Sequence, residues 1–143
     1  MAKTLCRLLG IVFILVGIIG FVAPGLLGMH LSLAHNLVHI ISGALALYFG
    51  YAGSVSGART FCIAFGAVYL LLAVGGFILG GSAAHNVAGV PAGHHGATDS
   101  MLWRVLPGTL ELATMDHIVH LLLGLVFLAG GFLTKADVNR AID

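Results

Sequence analysis

Apolar positions in this chain do not alternate with polar ones; they run together. Four stretches, residues 5–23, 36–53, 61–81 and 117–134, are almost wholly apolar, and polar residues gather between them. Each approaches the ~20 residues a helix needs to cross ~30 Å of hydrocarbon. Pro24-Gly25 ends the first stretch, because proline fixes φ and disfavours the helical state in its predecessor. Residues 54–59 read as a short polar turn. Residues 82–116 read as a long connection, extended at its Gly-, Pro- and Ala-rich start. Trp103 and Arg104 among leucines fit an interfacial segment within it, either a lid or a plain connector. The pattern predicts an all-α integral membrane four-helix bundle, one domain over residues 1–143.

The pattern also repeats. Residues 10–21 resemble residues 66–77 at an offset of 56, with Gly10 on Gly66 and Gly20-Phe21 on Gly76-Phe77. The same offset carries Cys6 onto Cys62. Residues 36–43 resemble 117–124 at an offset of 81, with His39 on His120, Gly43 on Gly124 and Gly50 on Gly131. Each copy holds two spans, so both enter the membrane the same way round, as parallel repeats do. Two helical hairpins side by side are expected.

Composition supports the membrane reading. Of 143 residues, 59% are hydrophobic and only 8% charged, against roughly 25% charged in soluble domains. A net charge of +1 with no basic stripe excludes a nucleic-acid partner. Lys3, Arg7, Arg59, Lys135 and Arg140 share one side of the topology, and Arg104 alone lies on the other. The positive-inside rule then places both termini in the cytoplasm of a bacterial inner membrane protein. The basic N-terminus has the look of a signal peptide. Phe21-Val22-Ala23, however, puts a bulky ring where cleavage wants a small residue, so the segment reads as a true span. Cys6 and Cys62 read as isolated small hydrophobes in a reducing compartment.

Glycine, 21 in number, allows close backbone approach between membrane helices. Gly43, Gly50, Gly76, Gly80, Gly124 and Gly131 are the packing candidates, either within the bundle or in a homo-oligomer or larger membrane complex. All eight histidines fall on the side opposite the basic residues. His35 and His39 are spaced i,i+4, His117 and His120 i,i+3, and such pairs share a helix face. With Asp116 they form the candidate set for a transition metal or non-covalent haem, and Glu111 is a further possible carboxylate. His85, His94, His95 and Asp99 are weaker candidates. The competing reading is a structural latch with no cofactor, because a polar residue inside the bilayer edge must point inward and be paired.

No phosphate loop, His-Glu-x-x-His or Gly-x-Ser-x-Gly occurs, so no catalytic residue is assigned and an enzyme is not expected. Asn36-x-x-His39 with Gly43, its echo His117-x-x-His120 with Gly124, and Gly66-x-x-Tyr69 resemble a bacterial family of four-pass membrane proteins, domain of unknown function 4383. Ile40 stands where that family's pattern has leucine, and His117 where it has asparagine. The resemblance implies four passes and importance for His39 and His120. It implies no activity. The expected role is a structural or accessory membrane subunit; a metal- or haem-binding protein and a small channel or transport component are the alternatives.

Overall fold

The computed structural model describes residues 1–85 and 98–135. Helix α1 spans Ala2–Gly20, α2 Leu33–Tyr51, α3 Val55–Leu79 and α4 Thr114–Leu133. All four are long and apolar enough to cross a membrane. They begin three to six residues before the apolar runs, and in α2, α3 and α4 a polar side chain caps that start. The Ser54 hydroxyl accepts from the Gly57 N–H at 3.0 Å, so residues 54–59, expected as a turn, are the cap and first turn of α3. The Ser32 hydroxyl does the same for α2, from the His35 N–H at 3.3 Å. In α4 the Asp116 carboxylate reaches back to the Ala113 N–H at 2.7 Å.

The all-α expectation needs one correction. Strands β1 (Gly81–Ala84), β2 (Thr98–Leu106) and β3 (Leu110–Leu112) form an antiparallel sheet in the order β1-β2-β3. The start and end of the long connection are therefore paired, not extended coil. Leu102 and Leu112 are buried beneath the sheet, and the Trp103 ring lies against Gly75 of α3.

Helix α1 packs on α2 and α3 on α4, each pair as a hairpin. The contacts match position for position. An added Cβ on Gly10 would meet the Leu47 side chain at 2.9 Å, and one on Gly66 would meet Leu128 at 2.7 Å. Gly43 lies against Ile14, and Gly124 against Leu70. Gly50 lies against Lys3 and Arg7, Gly131 against Arg59 and Ile63. Gly20 is covered by the Asn36 amide, Gly76 by the His117 imidazole. Every second member is displaced by 56 (α1 to α3) or 81 (α2 to α4) from the first. Of the six packing candidates, Gly80 alone leaves the helix face: it caps α3, and a Cβ there would meet the Met101 carbonyl of β2.

The hairpins meet through side chains. Phe13, Phe61, Tyr69 and Phe127 are buried between them. At one end the Cys6 and Cys62 sulfurs lie 3.5 Å apart. Cys6 Sγ faces the Ala58 carbonyl at 3.9 Å and Cys62 Sγ the Ala2 carbonyl at 4.0 Å. This end also carries Lys3, Arg7 and Arg59; the Arg7 Nε–H donates to the Gly50 carbonyl at 2.8 Å. The described histidines and the sheet occupy the opposite end.

Candidate functional site

Helices α2 and α4 each bring one histidine to the seam, a turn inside the histidine end. His39 stacks on Phe13 with ring centroids 5.8 Å apart, and His120 lies on Tyr69 at 5.1 Å. The Ser42 hydroxyl, which donates to the Val38 carbonyl within α2, faces the same space as Tyr69. His35, one turn above His39, has its ring 4.5 Å from the His39 ring and 6.0 Å from that of His120. Its Nδ1 contacts the His30 carbonyl oxygen at 2.9 Å and lies 4.0 Å from Asp116 Oδ1. The Asp116 Oδ2 accepts from the His30 and Ala113 N–H groups. His35, His39, Asp116 and His120 are thus a buried polar group in an otherwise apolar seam.

His117 does not join them. It occupies the position that Asn36 has in the first hairpin, over a helix glycine, and its Nε2 bonds the Met101 carbonyl of β2 at 2.8 Å. It ties the sheet to the bundle. The i,i+3 spacing placed it near His120 along the helix, but its ring is buried over Gly76 of α3 instead.

Asp116 lies behind the three histidines of this group and does not line the cavity of about 310 Å³ that they floor between α2 and α3. Its walls are Val38, Leu45, Phe65 and Leu72; Leu110 and Leu112 of β3 roof it; His39, Ser42, Tyr69 and His120 supply its polar surface. Val38 and Leu45 are also exposed on the outer face of α2, so the cavity opens sideways, toward whatever surrounds the helices. Among the described residues neither His39 nor His120 makes a side-chain hydrogen bond, and both Nδ1 atoms are buried without a partner. Unpaired buried imidazoles are expensive in an apolar medium and require an explanation.

The residues of domain of unknown function (DUF4383) match this chain over residues 3–98. The chain belongs to that family. The DUF4383 match takes in α1, α2, α3 and β1, and so His30, His35, His39, Tyr69 and His85. Glu111, Asp116, His117 and His120 lie beyond it. No curated protein and no solved structure matches the chain.

Of the weaker candidates, His94 and His95 lie outside the described residues. Asp99 is occupied structurally: its Oδ1 accepts from the Met101 N–H at 2.9 Å and from the Thr114 N–H and hydroxyl at 3.0 and 2.7 Å. Burial pushes its carboxyl up, but those three hydrogen bonds together hold it below the usual carboxylate range. His85 is elsewhere, 3.9 Å from the His30 ring and stacked on it. Among the described residues, only His30, His85 and Glu111 bring three ligand atoms of metal-binding type within 4.8 Å of one another. Sequence reasoning had not grouped these three, since they come from separate segments with no common spacing. It also read the two cysteines singly, although their shared offset of 56 was the available signal.

Proposed function

We propose that this chain is a four-pass membrane protein that binds a lipid-soluble small molecule in the cleft between its hairpins. The ligand enters sideways from the hydrocarbon. Its apolar part lies against Val38, Leu45, Phe65 and Leu72, and a polar head, a carbonyl group of the quinone type, reaches His39, His120 and Tyr69. The observation that carries this reading is the pair of unpaired imidazoles on the floor of an apolar cavity. Imidazole N–H and phenol O–H groups donate to a carbonyl oxygen, and few convergent polar groups in an apolar pocket are the usual form of a small-molecule site.

Membrane residence is supported by the broad outer surface of exposed leucine, isoleucine and phenylalanine, far larger than a soluble protein shows. The clustering of Lys3, Arg7 and Arg59 at one end, with Arg104 at the other, supports cytoplasmic termini. The matched contacts of the two hairpins support a duplication, with Cys6 and Cys62, and Phe13 and Tyr69, facing across its twofold axis. The glycines named as packing candidates are occupied inside the chain, so a structural or accessory role would have to use another surface.

The test is extraction and mass analysis of protein purified in mild detergent, followed by calorimetric titration with a short-tailed quinone. A stoichiometric ligand is expected, lost in Leu45→Trp, which fills the cleft, and kept in Leu8→Trp, on the outer face of α1. Loss of head-group affinity in His120→Phe, with the cavity unchanged in size, is also expected. Extracts that contain only bulk lipid, together with no heat of quinone binding, would overturn the reading.

A further inference from the structure

We propose that His30, His85 and Glu111 form a binding site for a divalent transition metal ion of the zinc type at the histidine end of the bundle. The site is separate from the cleft, and the two readings stand or fall independently. Three elements build it. His30 lies just before α2, where its N–H donates to Asp116 Oδ2 at 2.9 Å, and where the Leu31 N–H donates to the Pro24 carbonyl at 2.9 Å. The backbone that carries the His30 ring is therefore fixed to α4 and to the turn after α1. His85 follows β1 directly, and β1 is held by its pairing with Thr98 and Asp99 and by the Arg104 guanidinium, which donates to the Ala84 carbonyl at 3.1 Å. Glu111 is on β3, opposite Arg104 in the register, and is almost fully buried.

The donor set is two imidazoles and one carboxylate, which suits zinc and its neighbours better than magnesium or calcium. All three ligand atoms already lie within 4.8 Å of one another. A tetrahedral ion with bonds near 2.0–2.1 Å needs them about 3.4 Å apart. Closing the difference takes a movement of about an ångström by side chains whose backbones are already in place. The Arg104 Nε–H donates to Glu111 Oε1 at 3.0 Å and orients the carboxylate, as outer hydrogen bonds do for ligating carboxylates. Three protein ligands leave a fourth position for water or an exchanging group, the pattern of an open rather than a purely structural zinc site.

The experiment titrates tag-free, full-length protein in detergent with Co²⁺ and reads the visible absorption, then displaces the ion with Zn²⁺. One Co²⁺ per chain with intense, tetrahedral-type bands is expected. His85→Ala should abolish the bands, and Glu111→Gln should weaken binding more than about 100-fold, beyond the loss typical of an outer-shell change. Asp99→Asn should leave the spectrum in place. His85 is only partly buried, so circular dichroism should show its variant folded even if His30→Ala is not. The proposal is overturned if the folded wild-type protein binds no stoichiometric ion. It is equally overturned if His85→Ala binds as the wild type does, which would assign the ion to other histidines.

Discussion

Gly66→Ala tests whether the hairpins are held by backbone contact. The new Cβ would fall 2.7 Å from Leu128 Cγ, 2.8 Å from Leu128 N and 2.9 Å from Leu128 Cδ2. Ordinary carbon contacts lie near 3.5–4.0 Å, so the shortfall is about 0.7 Å or more. The leucine carbons can turn away; the backbone nitrogen cannot, so α3 and α4 must part. A gap of roughly 0.5–1 Å forfeits a quarter to a half of each dispersion contact along the interface. Overpacking of this kind costs about 1–3 kcal/mol. The gain of about 1 kcal/mol in helix propensity for alanine offsets it little, because helices in an apolar medium stay formed after they separate. Gly130→Ala is the control. Its Cβ meets only the methyl ends of Leu5, the nearest at 3.2 Å, so the change should stay within about 0.5 kcal/mol. Unfolding by sodium dodecyl sulfate in mixed micelles, followed by circular dichroism, measures both. Gly10→Ala should match Gly66→Ala, since the Gly43 carbonyl oxygen stands 2.9 Å from its Cβ. Equal stability of Gly66→Ala and Gly130→Ala would refute the reasoning.

Three further outcomes follow from the geometry. A membrane-permeant oxidant should link Cys6 to Cys62 within one chain, with a mass loss of two hydrogens and no dimer on a non-reducing gel. Because hydrogen bonds lower the Asp99 carboxyl in the folded state, its tie between β2 and α4 is complete at neutral pH. It weakens as pH falls through that lowered value. The protection factor of the Thr114 N–H, taken relative to its intrinsic exchange rate at each pH, should fall on acidification, and Asp99→Asn should remove the dependence. Ser32→Ala should cost about 1 kcal/mol in the same detergent assay, as the loss of a helix cap usually does. Ser32 is buried and also donates to the Thr109 carbonyl at 3.3 Å, so Ser54→Ala should cost less.

The four helices were legible because uninterrupted apolar runs have few other solutions. Their starts were less so, since Ser32 and Ser54 look like turn residues until a side-chain oxygen is seen on an N–H group. Helical spacing paired His35 with His39 and the repeat set His39 beside His120, and the structure brings these three together with Asp116. His117 escaped because spacing on one helix says nothing of what faces it, and a glycine on α3 makes room for its ring. The sheet was hidden for a related reason. β1 is Gly-Ser-Ala-Ala, with no strand pattern of its own, and pairing with a distant segment makes it a strand. The metal-type group inherits that difficulty, because His85 and Glu111 meet only after the sheet forms.

The two kinds of contact in this bundle differ in stiffness. Within each hairpin, glycine lets backbone rest on backbone, and nothing there yields without moving a whole helix. Between the hairpins, side chains rather than backbones meet, Phe13, Phe61, Tyr69 and Phe127 along the seam and the two thiols at one end. Strain applied to the molecule will therefore be taken up between the two rigid pairs rather than within either. Both ends of the seam are tied across the hairpins, by the Ala2 N–H on the Thr134 hydroxyl at 2.8 Å beside the cysteines and by the His30 N–H on Asp116 at 2.9 Å among the histidines, so the compliant stretch is the ring-lined middle between them.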